Sequence, residues 1–128
     1  MDLLLDTHVL LWWDSRNASL NPHAAQLIAD PAQQIFVSAA SIWEIAIKRR
    51  LGKLAFTGSA ADAIGRNGFF ALPILPLDAE QAGHLDWSHN DPFDRLLLVQ
   101  SRRINAALVT ADATIRQFTQ AITLWAGA

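Results

Sequence analysis

The sequence predicts an α/β fold in one domain spanning residues 1–128, with a central, mainly parallel sheet of about five strands and helices on both faces. Three observations predict it. Short apolar runs such as Leu3-Leu4-Leu5, Ile35-Phe36-Val37 and Ala107-Leu108-Val109-Thr110 recur along the chain. Between them lie stretches with helical spacing, and that alternation argues for βα units. Finally, 128 residues at 52% hydrophobic content suffice for one real core and favour a single domain.

Taken in order, Leu3–Leu5 reads as a buried strand that stops at Asp6. A helix follows at once, from Thr7 or His8 to about Asp14. Asn21-Pro22 pairs an N-cap with proline at the first helical position, opening a helix that ends near Asp30-Pro31. Residues 35–37 form the second strand. Ser38 caps a helix that continues to about Leu51 and stops near Gly52. Ser59 caps a short helix fading by Gly65–Gly68. The run Leu72-Pro73-Ile74-Leu75 reads as a third strand, placed at an edge or a strand end by its prolines. Asp78 caps a helix through about Leu85, and Asp91-Pro92 opens a strong one to about Ile104. Residues 107–110 are the fourth strand, 113–118 a short helix and 122–125 the fifth strand.

Composition excludes several classes. The chain has no cysteine, which rules out disulfides and thiolate metal sites and fits a cytoplasmic protein. No apolar run nears the ~20 residues of a membrane span. Asp2 and the lack of a basic n-region argue against reading the first residues as a signal peptide. The net charge of −2 does not advertise nucleic-acid binding, yet Lys48, Arg49, Arg50 and Lys53 cluster, as do Arg102 and Arg103. Basic groups rimming one cleft suffice for RNA even in a weakly acidic protein; the alternative is solvated helix ends, where cations suit the macrodipole.

The acids carry the chemistry. Asp6 stands just beyond the carboxyl end of a strand, where ligands collect in open α/β sheets. Glu44, one of two glutamates in the chain, falls on a face with Ala40, Ile47 and Leu51, with Trp43 beside them. A carboxylate there is costly unless it meets a cation, whether a metal or an arginine such as Arg95. Asp91 and Asp94 bracket Pro92-Phe93 at a helix start, and Asp112 follows Thr110 as Asp6 follows Leu5. Each aspartate doubles as a helix cap, and Glu44 as half of a buried ion pair. Two carboxylates ~5 Å apart repel by about 3 kcal/mol at an effective dielectric of ~20, so a converging set would raise its own pKa values or draw in a divalent cation. An all-oxygen site suits Mg²⁺ or Mn²⁺, which activate water and stabilise charge on a phosphodiester.

Leu3-Leu4-Leu5-Asp6-Thr7-His8, Ser41-Ile42-Trp43-Glu44-Ile45-Ala46-Ile47-Lys48, His89-Asn90-Asp91-Pro92-Phe93-Asp94-Arg95-Leu96-Leu97 and Val109-Thr110-Ala111-Asp112 resemble the PIN domain. More closely, they resemble VapC-type toxins of bacterial toxin–antitoxin pairs. The resemblance covers essentially the whole chain. It implies a three-layer α/β/α sandwich and a Mg²⁺- or Mn²⁺-dependent endoribonuclease whose acids are Asp6, Glu44, Asp94 and Asp112. Asp91 is an extra acid in the third position's loop. The resemblance also implies small polar groups near the metal, here Thr7 and Thr110, a homodimer, and a cognate antitoxin whose C-terminal segment fills the cleft. Lys48, Arg49 and Arg102 are candidates to hold RNA, and His8 and His89 lie near the acids in sequence. Five tryptophans, with Trp12-Trp13 adjacent, raise the expectation of a self-association surface. Two rivals remain: a non-catalytic RNA- or metal-binding module on the same fold, and a haloacid-dehalogenase-type phosphatase. The phosphatase wants a second acid where this chain has His8.

Overall fold

The computed structural model describes residues 1–118 and 120–128. Its elements run β1 (Asp2–Leu5), α1 (Thr7–Ser15), α2 (Pro22–Ala29), β2 (Gln34–Ser38), α3 (Ala39–Arg50) and α4 (Ala60–Arg66). Then come β3 (Phe70–Leu72), α5 (Pro76–His84), α6 (Pro92–Arg103), β4 (Ala107–Thr110), α7 (Ala113–Gln117) and β5 (Thr123–Trp125). The five strands form one sheet in the order β3-β2-β1-β4-β5, and every pairing is parallel.

The strand β1 sits at the centre with Leu3, Leu4 and Leu5 fully buried. A strand covered on both faces must be apolar throughout, which is why three leucines run without alternation. Leu3 and Leu5 point into a core with Val9, Leu10, Ile35, Val37 and Ile45. Leu4 points the other way, to Leu72, Leu97, Leu108 and Ile115. These two cores make the three-layer α/β/α sandwich.

Chain order and sheet order diverge beside β1: β2 and β3 are laid down on one side, β4 and β5 on the other. The switch point between β1 and β4 is where such sheets open a crevice at the strands' carboxyl ends. Asp6 N–H donates to the Val109 carbonyl at 2.9 Å, closing the bottom of that crevice.

The structure corrects three local expectations. The third strand is Phe70–Leu72, not the stretch beginning at Leu72. Pro73 has no N–H for a ladder, and Pro76 takes the first helical position, so the chain between them only links β3 to α5. Consequently Asp78 is not the N-cap of α5; it lies inside the first turn and accepts from Leu75 N–H at 2.9 Å and from Arg103 at 2.7 and 3.0 Å. On α3 the buried face is Ala40, Ser41, Glu44 and Ile45, while Leu51 is 60% exposed. The adjacent tryptophans diverge: Trp13 packs near Phe69, with ring centroids 6.2 Å apart, and Trp12 lines surface cavities.

Candidate active site

Asp6 is both cap and site. One carboxylate oxygen accepts from Thr7 N–H at 2.7 Å as the N-cap of α1. The other accepts from the Thr110 hydroxyl at 2.8 Å. Thr110 Oγ1 in turn accepts from Asp112 N–H at 3.0 Å, tying the ends of β1 and β4 together. Burial pushes the Asp6 carboxyl above its ordinary range; the bonds from Thr110 and Thr7 pull it back, and the nearby Glu44 charge adds to the rise.

Helix α3 starts at Ser38, whose hydroxyl accepts from Ala40 N–H, and it aims Ser41, Glu44 and Lys48 at the crevice. Ser41 Oγ accepts from the Thr7 hydroxyl at 3.0 Å. Glu44 is buried and meets Lys48 Nζ at 2.8 Å, one helical turn on. Glu44 raises the Lys48 pKa, helped by Asp91 and Asp94. The cation facing Glu44 is therefore Lys48 and not Arg95. Arg95 donates to four backbone carbonyls, those of Ala82, Leu85, Trp87 and His89, and so fixes the loop before α6.

That loop presents the remaining acids. Asp91 caps α6, accepting from Phe93 N–H at 2.8 Å and Asp94 N–H at 3.1 Å. Asp94, one turn in and buried, lies 2.6 Å from His89 Nε2. Its pKa is pushed up to about 7, first by burial and then by the charges of Asp6 and Asp91, with the His89 bond opposing. Asp112 caps α7 through Thr114 N–H at 2.8 Å and shares a cavity wall with Asp6.

Asp6, Glu44, Asp91 and Asp94 thus sense one another electrostatically, Asp112 borders the same opening, and Thr7 and Thr110 brace Asp6. Two basic candidates lie elsewhere. Arg49 donates to the Gly58 carbonyl at 2.5 Å. Arg102 sits eight residues beyond Asp94, about 12 Å along α6 at 1.5 Å per residue, and donates to Gln120. Sequence reasoning missed Ser41 and the carbonyl-binding role of Arg95. The signal for Ser41 was its i, i+3 spacing to Glu44.

A divalent cation fits these residues. His89, Asp91 and Asp94 each offer a ligand atom, and all of these lie within 4.8 Å of one another. Glu44, Asp91 and Asp94 act on the single Lys48 ammonium, and burial, with neighbouring carboxylate charge adding to it, lifts Asp6 and Asp94. The donors are oxygens with one imidazole and no thiolate, a set for a hard ion.

Fold and site together define a three-layer α/β/α protein with an acid-lined crevice at the switch point of a parallel sheet. The PIN domain family model matches residues 3–120, and the chain belongs to that family, whose members are generally nucleases. No curated protein matches the sequence closely. Among solved structures the fold resembles a chain of VapBC2 from Rickettsia felis, determined bound to a DNA fragment from its promoter. That match has a TM-score of 0.71 at 14% identity, covering 98% of this chain and 99% of that one. VapBC-1 from nontypeable Haemophilus influenzae matches with a TM-score of 0.61 at 17% identity, covering 99% and 98%. FitAB bound to an IR36 DNA fragment matches with a TM-score of 0.56 at 18% identity, covering 96% and 92%. No helix among the described residues is long and apolar enough to cross a membrane.

Proposed function

We propose that this chain is a Mg²⁺- or Mn²⁺-dependent endoribonuclease of the VapC type, the toxin of a toxin–antitoxin pair. The observation that carries the reading is the gathering of Asp6, Glu44 and Asp94 at the β1–β4 switch point of a PIN fold. Asp6, Glu44 and Asp94 would hold the ion, with Asp112 and Asp91 in support. When bound, the ion supplies Lewis-acid charge and lowers the pKa of a water that serves as nucleophile. The protein's own groups do the positioning. Thr7 N–H and Thr110 hold both oxygens of Asp6, leaving its remaining lone pairs fixed in direction. Lys48, partly exposed beside Glu44, is the cation best placed to meet a phosphate at the crevice. Arg102, at the far end of α6, meets RNA only if the substrate reaches well beyond the acids.

VapBC-like folds point to a cognate antitoxin as partner, and the family resemblance to a homodimer in the cytoplasm. The phosphatase alternative is disfavoured because the position where that chemistry wants a second acid is His8, an exposed imidazole at the lip of the cavity beside Asp6. The deciding experiment is cleavage of single-stranded RNA with and without EDTA, beside Asp6→Asn. Cleavage that survives both would sink the reading. Co-expression with the neighbouring gene product, expected to relieve toxicity, tests the pairing.

A further inference from the structure

We infer that the cavity between α1 and α7 is a nucleobase subsite, in which Trp12 stacks on a base of single-stranded RNA next to the phosphate at the acids. This rests on the nuclease reading above. The cavity has a volume of about 370 Å³ and is lined by Asp6, His8, Trp12, Ala111, Asp112 and Ala113. That volume lies within the span typical of small-ligand pockets, about 300–1,000 Å³.

Trp12 is free for such a role. Its neighbour Trp13 packs with the core beside Phe69, whereas Trp12 joins none of the hydrophobic clusters formed by the described residues. His8 lies one turn before it on the same face of α1, exposed at the lip of the cavity. Beyond His8 and Trp12 a second cavity of about 480 Å³ continues along Leu54 and Phe56, giving a strand a path away from the acids.

Charge selects the occupant. Apart from the acids, the first cavity is lined by His8, Trp12, Ala111 and Ala113, with no lysine or arginine to hold a second phosphate. Affinity on this side of the cut must come from a neutral group. A flat base against an indole supplies it, and supplies it with little sequence preference because every base has a π-face. The shared wall at Asp6 makes a base in the cavity contiguous with a phosphate at the acids.

The test uses a fluorescein-labelled single-stranded RNA of about ten nucleotides, a length that fits the roughly 4–16-nucleotide sites of single-strand binders. Binding is read by anisotropy on an Asp6→Asn background so that the RNA stays intact. Trp12→Ala should weaken binding roughly ten- to a hundredfold, and Trp12→Phe should retain most of it. A single abasic position walked along the RNA checks the same contact with Trp12 in place. One position should cost the same as Trp12→Ala, and should cost nothing further in that variant. In the wild-type background, Trp12→Ala should raise KM more than it lowers kcat. Cleavage by the wild type with no effect of Trp12→Ala or of any abasic position overturns the subsite alone. Trp12→Ala that weakens only the complex with a protein partner, leaving RNA binding intact, overturns it too and gives the cavity to that partner. A wild type that neither cuts nor binds RNA removes the nuclease reading, and the subsite with it.

Discussion

The Thr110 hydroxyl donates to Asp6 across 2.8 Å, joining two residues 104 positions apart in the chain. A hydrogen bond to a buried carboxylate is worth about 1.5–3 kcal/mol. Thr110→Val keeps the shape and removes the donor to Asp6, together with the acceptor for Asp112 N–H. It should lower stability by about that amount and release one oxygen of Asp6 to wander, reducing cleavage. Thr110→Ser should restore both. Urea denaturation beside RNA cleavage checks it; a Val variant as active as the Ser variant would refute the bracing role.

Asp91 and Asp94 should separate cleanly. Asp91 spends one oxygen on two backbone N–H groups, a task asparagine performs nearly as well. Asp91→Asn should keep its fold and much of its activity. Asp94→Asn should abolish cleavage while raising metal-free melting temperature above neutral pH, because a buried, repelled charge is gone. Melting curves and cleavage rates for the pair decide it, and the opposite pattern reverses the assignment.

Stability without metal should fall as pH rises. Asp94 titrates near 7 in the folded protein and near 3.9 when unfolded, so between those values the folded state binds the extra proton. Its contribution is present at the acid side of that window and is lost as pH climbs through about 7; Asp6, also raised, acts in the same direction. Metal binding has the opposite slope, since a carboxylate must give up its proton to ligate. Mn²⁺ affinity by calorimetry should therefore strengthen from pH 6 toward pH 8. Affinity flat over that range would count against Asp94 as a ligand.

Lys48→Met should destabilise the metal-free protein by about 1 kcal/mol, discounted because the ammonium is partly exposed. Glu44 would be left buried and unpaired. Added Mn²⁺ should recover more stability in this variant than in the wild type, because the ion takes over the lost counter-charge. Equal Mn²⁺-induced shifts in melting temperature would show that Lys48 does not face the ion site.

Arg103→Ala and Arg102→Ala should differ although the two are adjacent. Arg103 pairs with the buried Asp78, and removing it should cost about 2 kcal/mol, below the range for fully buried pairs because Arg103 is partly exposed. Arg102 donates to Gln120 on the surface, its one side-chain hydrogen bond among the described residues, and should be near neutral. Thermal melts of the two variants suffice.

The elements that build the site were those most legible in the sequence. Leu3–Leu5 ending at Asp6, and Ala107–Thr110 ending before Asp112, are unbroken apolar runs with a cap at once behind them. Pro92 at the first helical position fixed the start of α6 and hence put Asp91 at the cap and Asp94 in the first turn. The third strand was misplaced because Leu72–Leu75 is apolar enough to pass for one, and hydrophobicity alone does not register that Pro73 has no N–H to give a ladder. The face of α3 was misjudged because periodicity counts only apolar side chains; the crevice side of that helix is polar by purpose, with Ser41, Glu44 and Lys48. Arg49 and Arg102 looked equivalent to Lys48 since sequence clustering carries no information about which way a helix end points.

The bond between Thr110 and Asp6 also sets a schedule. Asp6 leaves the ribosome before residues 107–110, but its carboxylate is finished only by the strand they form. A nascent chain made as far as residue 100 already carries Asp6, Glu44 and Asp94, yet lacks the neighbour strand and hydroxyl that orient the first of them. Contacts of such long sequence separation also form late in folding. Assembly of the acids is thus deferred until residues 107–110 have been made and have paired with β1.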